Sequence, residues 1–135
     1  GYHSDMTRTV AVGNVTDEQK NIYETVLKAQ KSALAVLKKG LSCAEADFAA
    51  RSIIDEAGYG KYFGHSTGHG VGVEIHEAPT LAPKSKDILE VGDVVTVEPG
   101  IYIPDNFGVR IEDMAIITEN GYENLTTTPK ELIIL

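Results

Sequence analysis

Two helix-start signals in the first half of the chain fix its coarse architecture. Thr16 and Ser42 each open a capping box, in which the cap residue and the glutamine or glutamate three positions later exchange hydrogen bonds. Apolar residues follow both caps at helical spacing, so each helix lays one stripe on a core, and glycines are expected to end the helices at Gly40 and Gly58. The predicted stripes are Ile22, Val26, Ala29, Ala33 and Leu37, then Ala46, Ala49, Ile53 and Ala57.

The remaining sequence is patterned for strands and turns. Residues 5–12 alternate, which places Asp5, Thr7 and Thr9 on one face. Further strands are predicted at 94–97, 101–103, 109–118 and 131–135, and an exposed loop is predicted at 78–87. A strand, two helices and then several strands predict an α+β domain, with helices covering one side of a curved antiparallel sheet.

Three ionisable residues lie in strand-like or glycine-rich runs, where a polar side chain needs a partner. They are His69 in GHSTGHGVGVEIHE, Glu98 in VVTVEPGIY and Glu112 in GVRIEDM. One imidazole and several carboxylates, with Asp5 as a further member, suit a hard or borderline divalent cation. Taken alone, Glu112 fits an exposed Arg–Glu ladder better than a metal ligand. Asp113 fits either a supporting hydrogen bond or a local bulge.

Four motifs in order carry a resemblance to a known family. The succession SDMTRT, GHSTGHGVGVEIHEAP, TVEPGIY and GVRIEDM resembles the pita-bread dinuclear metallopeptidases, and within them the Xaa-Pro aminopeptidase and prolidase branch. The resemblance covers the whole chain and implies a pita-bread (creatinase/aminopeptidase-like) fold. It also implies a first ligand aspartate on a strand that would precede Gly1. Residues 1–135 are therefore expected to form a single catalytic-domain fragment without that strand.

The resemblance implies a role for each matching residue. Asp5, His69, Glu98 and Glu112 are expected to be metal ligands, with Glu98 also acting as the general base. His65 and His76 are implied to be catalytic, binding the substrate carbonyl. Substrate contacts are also implied for Tyr102 and for Arg110, which is in addition expected to be catalytic. Thr7 is expected to support a ligand through a hydrogen bond, although a plain β-favouring threonine fits equally well.

The implied reaction is hydrolysis of an N-terminal Xaa-Pro bond in proline-containing peptides. Two divalent cations, Mn foremost and Co, Zn or Fe as alternatives, would activate a water and polarise the scissile carbonyl. Partial or no metal occupancy, and no activity, are expected of residues 1–135 alone. Methionine aminopeptidase is the nearest enzymatic alternative, but Asp113 stands where a histidine is typical there. The sequence also leaves open a non-catalytic binding module on the same fold and metal-free creatinase-like chemistry.

Charge and cysteine content bear on partners and compartment. The formal net charge is −8 and no basic patch is present, which argues against a nucleic-acid partner. No apolar run is long enough to suggest a membrane partner. The single cysteine, Cys43, excludes an internal disulfide and is typical of the cytoplasm. The resemblance further implies a homodimer for the parent protein.

Overall fold

The first helix follows its predicted stripe but ends earlier than predicted. In the computed structural model, which describes residues 1–135, helix α1 spans Asp17–Val36 and all five predicted stripe residues are buried. The capping box at Thr16 is formed in full. The prediction that Gly40 ends the helix is wrong, because Leu37 already has an extended backbone with ψ of 124°. Gly40 instead lies in the following turn with φ of 82°.

The second helix has a different buried face from the one predicted. Helix α2 spans Cys43–Glu56, its capping box at Ser42 is formed, and Gly58 follows its end with φ of 89°. Ala49 and Ile53 are only half-buried and Ala57 is exposed. The face that is buried consists of Cys43, Ala46, Asp47, Ala50 and Ile54. The prediction missed it because an aspartate, paired with Arg51 one turn later, occupies its middle.

Seven short strands form one antiparallel sheet and one hairpin. The five-stranded sheet has the order β2-β1-β3-β6-β7, and β4 pairs with β5. The strands are β1 Gly68–Gly70, β2 Glu77–Leu81, β3 Val94–Val97, β4 Gly100–Ile103, β5 Phe107–Arg110, β6 Asp113–Thr118 and β7 Gly121–Asn124. Helix α1 packs against β3 and the β4–β5 hairpin, and α2 packs against α1 and β2.

Several predicted element bounds are wrong. Residues 77–81 form strand β2, so the predicted loop at 78–87 begins later than expected. The predicted strand 109–118 is two strands, which separate around Ile111 and Glu112. Strand β7 was not predicted. Residues 5–12 and 131–135 form no ladder and make only isolated bridges, Thr7 with Glu112 and Ala11 with Ile134.

The core lies between the two helices and the inner faces of the strands. Ile22, Val26, Ile54, Val95 and Ile101 are among the residues with no exposed surface. The positions of β1, β3 and the segment around Glu112 are thereby fixed from behind. None of the helices combines the length and the hydropathy that crossing a bilayer demands.

Candidate metal centre

The two glycines beside His69 allow strand β1 to approach its neighbours closely. A Cβ atom on Gly68 would lie 1.8 Å from the carbonyl oxygen of Thr96, and one on Gly70 would lie 2.2 Å from the carbonyl oxygen of Ala78. Only glycine fits where two backbones approach this closely. Strand β1 is therefore clamped between β2 and β3, and the position of His69 is set by backbone packing.

The His69 ring is oriented with one nitrogen toward the carboxylates. Its Nδ1 lies 2.9 Å from the Gly70 carbonyl oxygen. Its Nε2 lies 3.1 Å from Glu98 Oε1 and 3.6 Å from Asp5 Oδ2. The contact with Glu98 raises the pKa of His69, while burial opposes that rise. Because Nδ1–H is donated to a carbonyl, loss of the Nε2 proton would leave the Nε2 lone pair free for a metal ion, which is the usual arrangement of a metal-ligating imidazole.

Glu98 is held at the end of β3 by side-chain and backbone contacts. The Thr96 hydroxyl donates to Glu98 Oε1 at 3.1 Å, and the Glu98 backbone N–H donates to the Thr67 carbonyl at 2.7 Å. The same Thr96 hydroxyl accepts from the His69 backbone N–H at 3.1 Å. Although burial opposes ionisation, the hydrogen bonds from His69 and Thr96 keep the pKa of Glu98 below its ordinary value. Glu98 is therefore an ionised, fixed carboxylate beside the imidazole.

Glu112 is a buried carboxylate with one satisfied and one unsatisfied oxygen. Its residue is 2% exposed, and the Thr7 hydroxyl donates to Oε2 at 2.5 Å. Its other oxygen, Oε1, is buried without any hydrogen-bond partner. Burial raises the pKa of Glu112 to about 7, the Thr7 bond opposes the rise, and the negative charges of Glu98 and Asp5 add to it. Orphaned buried carboxylate oxygens are rare in proteins and call for an ion or another partner.

Asp5, His69 and Glu112 converge on one small volume. Their ligating atoms all lie within 4.8 Å of one another, and Glu98 reaches the group through His69. No lysine or arginine forms an ion pair with any of the three carboxylates. Three acidic groups around one imidazole therefore have no lysine or arginine in direct contact, and the charge of Arg110 acts on Glu112 only from a longer distance. The donor set and the unpaired Glu112 oxygen both fit a divalent metal ion.

The four predicted substrate residues are His65, His76, Tyr102 and Arg110, and each makes a different contact near this centre. His65 Nε2 lies 2.7 Å from the Tyr102 hydroxyl, and the Arg110 Nε donates to the Thr7 hydroxyl at 3.1 Å. The exposed His76 ring lies 4.3 Å from the His69 ring, centroid to centroid. Arg110 makes no ion pair, so it touches Glu112 only through Thr7. None of the four belongs to the ligand cluster of Asp5, His69 and Glu112.

Sequence reasoning missed residues that hold the site from behind. Thr96 bridges His69 and Glu98, and it could have been found because positions 96 and 98 share one strand face. Asp47 accepts hydrogen bonds from the Thr67 backbone and hydroxyl at 3.2 and 2.9 Å. Its partner Arg51 donates to the His65 carbonyl at 2.8 Å. The i, i+4 spacing of Asp47 and Arg51 was the available signal.

The chain matches a family model and two curated relatives over most or all of its length. The model of metallopeptidase family M24 matches residues 1–119. The chain is 58% identical over 135 residues to the uncharacterized peptidase YqhT of Bacillus subtilis, covering 100% of this chain and 38% of that protein. It is 54% identical over 132 residues to the Xaa-Pro dipeptidase of Pyrococcus horikoshii, covering 98% of this chain and 38% of that protein.

A solved structure shows the same fold. The structure of the Xaa-Pro dipeptidase from Bacillus anthracis matches with a TM-score of 0.97 and 59% identity, over 99% of this chain and 38% of that one. The chain belongs to metallopeptidase family M24, and its α+β architecture is the pita-bread fold of the prolidases. It spans 38% of the length of each of these three relatives.

Proposed function

We propose that this chain supplies most of the active site of a divalent-metal peptidase that hydrolyses N-terminal Xaa-Pro bonds. The observation that carries the proposal is the cluster of Asp5, His69 and Glu112, in which a buried Glu112 oxygen has no partner within the protein. The substrate class is supported by two of the similar proteins, which are named Xaa-Pro dipeptidases.

The metal would be held by the residues that converge on this volume. Asp5 and Glu112 would be shared carboxylate ligands and His69 the single imidazole ligand, with Glu98 completing the set from beside His69. Oxygen-rich sites with a single imidazole suit Mn, with Co, Zn or Fe as alternatives. When bound, such cations lower the pKa of water and polarise a carbonyl group.

Glu98 is placed to act as a proton acceptor. Its Oε1 takes the contacts with His69 and Thr96, which leaves Oε2 open. A carboxylate fixed on one oxygen and open on the other can receive the proton of an attacking water and pass it to the leaving amine. The rigid end of β3 limits the movement of Glu98 during both transfers.

Polar groups around the centre would bind the peptide. The His65–Tyr102 pair presents a hydrogen-bonding edge, and His76 stands over the His69 ring. Donors in these positions can stabilise the oxyanion that forms when a peptide carbonyl is attacked. The Arg110 guanidinium donates from Nε to Thr7 and also lies beside the Tyr102 hydroxyl, and an N–H group that these contacts leave unused can bind a substrate carboxylate.

Compartment and assembly follow from the same proposal. A reduced, fully buried Cys43 supports a cytoplasmic location. We extend the proposal to a homodimeric parent protein, on the family resemblance alone.

The test is a peptidase assay of a full-length protein that contains residues 1–135, run beside the 135-residue chain itself. Xaa-Pro dipeptides, longer Xaa-Pro peptides and Met-Ala peptides would be offered with added manganese. We expect proline release by the full-length protein and none by the chain alone. Glu98→Ala should abolish turnover, whereas His76→Ala should lower turnover and leave metal content near normal.

Each competing function gives a different result in this assay. Preferential cleavage of Met-Ala would indicate a methionine aminopeptidase. Turnover that survives chelation would indicate metal-free chemistry of the creatinase type. A folded full-length protein that cleaves no peptide, whether or not it binds manganese, would indicate a binding module. Loss of metal in His76→Ala would contradict the role given to His76.

A further inference from the structure

Asp113 is a fully buried carboxylate that follows the predicted ligand Glu112 in sequence. It accepts hydrogen bonds from donors on three separate segments. Its exposed fraction is 0%. Arg8 Nη2 donates to Oδ1 at 2.7 Å, while Lys130 Nζ and Asn124 Nδ2 donate to Oδ2 at 2.7 and 2.8 Å. Every donor lies far from Asp113 in sequence or on another element. Asp113 therefore joins the segment before α1, strand β7 and the C-terminal segment.

Arg8 uses its remaining N–H groups on the backbone. Its Nη1 donates to the carbonyl oxygens of Thr7 at 2.9 Å and Glu112 at 2.7 Å. Its Nε and Nη2 also donate to the carbonyl oxygens of Pro129 and Thr128, at 3.0 and 2.8 Å. One guanidinium thus spans both backbones at the point where the Thr7 segment meets the Glu112 segment. A lysine could not make this set of contacts, because it lacks the planar fork.

The backbone alone holds this junction weakly. Thr7 and Glu112 form an isolated bridge, with hydrogen bonds of 3.4 Å from Thr7 N and 3.0 Å from Glu112 N. No neighbouring ladder fixes the register of residues 5–12. Alternation along an extended chain puts Asp5 and Thr7 on the ligand side of this bridge and Arg8 on the opposite side.

We propose that Arg8 and Asp113 are positioning residues for the metal centre. Together they hold the Thr7 segment against the Glu112 segment from the side opposite the ligands. This contact sets the spacing between the Asp5 and Glu112 carboxylates. The inference rests on the proposed metal site. Outer partners that orient ligands typically change metal affinity by about 10–100-fold when they are removed. We expect a loss of that size from either residue, although neither touches the ligand volume.

The experiment measures the Mn²⁺ affinity of a full-length protein that contains residues 1–135, from the electron paramagnetic resonance signal of free Mn²⁺ in a titration. The variants are Arg8→Met, Asp113→Asn and the double variant. The matched control is Ile54→Val, which removes one methylene from a fully buried position on α2 away from the centre. Circular dichroism selects a temperature at which every variant is folded, so that metal affinity is compared among native states.

The expected result is a Kd raised by about 10–100-fold in each single variant and within about threefold of wild type in Ile54→Val. The double variant should lose no more affinity than either single variant, because Arg8 and Asp113 act through the same contact with each other. Where Arg8→Met fails to fold, Arg8→Lys replaces it; it keeps the charge beside Asp113 and should still weaken binding.

Two failures are distinguishable. A wild-type full-length protein that binds no Mn²⁺ overturns the proposed metal site itself. A wild-type full-length protein that binds Mn²⁺, with unchanged affinity in folded Arg8 and Asp113 variants, overturns only the positioning inference. Equal loss in Ile54→Val would also overturn it, since the effect would then follow general destabilisation.

Discussion

Replacing Thr7 by valine should weaken metal binding without changing the shape of the side chain. The Thr7 hydroxyl donates to Glu112 Oε2 at 2.5 Å, and valine puts a methyl group in the place of that hydroxyl. Glu112 would lose this hydrogen-bond donor, and water cannot readily replace it because Glu112 is only 2% exposed. Arg110 also loses a contact, but it is exposed and can be solvated.

The magnitude follows from the charge on the acceptor. A hydrogen bond to a charged group contributes about 1.5–3 kcal/mol. At about 1.4 kcal/mol for each factor of ten, that range corresponds to roughly 10- to 100-fold in Kd for a divalent ion. This loss applies above the Glu112 pKa of about 7, where the carboxylate is ionised and available as a ligand.

The assay is isothermal titration of Mn²⁺ into a full-length protein that contains residues 1–135, at pH 8, with Thr7→Ser as the control. Serine keeps the hydroxyl and loses only the methyl group, so its Kd should stay within about threefold of wild type. Equal weakening in the valine and serine variants would refute the reasoning, because packing of the methyl group would then be responsible. Unchanged binding in both would show that Thr7 does not support Glu112.

Two further predictions concern the framework of the site. Gly68→Ala should lower the free energy of unfolding in urea by about 1–3 kcal/mol, because the new methyl group would lie against the Thr96 backbone. Gly64→Ala is the control and should be near neutral, because there is open space around Gly64. Equal effects of the two substitutions would contradict this packing argument. Burial raises the pKa of the Cys43 thiol to about 11, so at pH 8 only about one native molecule in 1,000 carries a thiolate. A thiol-specific chromophoric reagent should therefore react slowly with the native chain and fast with the chain unfolded in guanidinium. Rapid labelling of the native chain would contradict this prediction and show that Cys43 is accessible.

The helices could be predicted from sequence because their signals are local. Capping boxes and the α1 stripe depend on residues three or four positions apart, and both were confirmed. The α2 stripe was wrong because its buried face includes Asp47, and a charged residue is assigned to solvent unless its partner is recognised. That partner, Arg51, is close in sequence, but its other contacts, to the loop around His65, are visible only in three dimensions.

Strand bounds were less predictable for a related reason. The strand-like run from Val109 to Thr118 looks continuous, but Glu112 is turned toward the Thr7 segment, and the ladder breaks there. Likewise, alternation in residues 5–12 correctly separated Thr7 from Arg8, yet it predicted a strand where only isolated bridges form. Pairing depends on neighbours that local patterning cannot identify.

The candidate site was predictable in its members but not in its supports. Asp5, His69, Glu98 and Glu112 were selected by motif resemblance, and the structure brings them together. Their metal-binding role stays a prediction. Thr96 and Arg8 act through backbone and hydroxyl contacts that leave no distinctive motif, so sequence reasoning passed over them.

Anomalous diffraction would locate a bound metal ion without relying on activity. Crystals of a full-length protein that contains residues 1–135 would be soaked in millimolar MnCl₂, and data would be collected on both sides of the manganese absorption edge. We predict that the strongest anomalous difference peak lies in the volume bounded by Asp5, His69 and Glu112, beside Glu98, even at partial occupancy. A map with no peak there, or with its main peak on other acidic side chains such as Asp87 and Asp93, would contradict the metal centre.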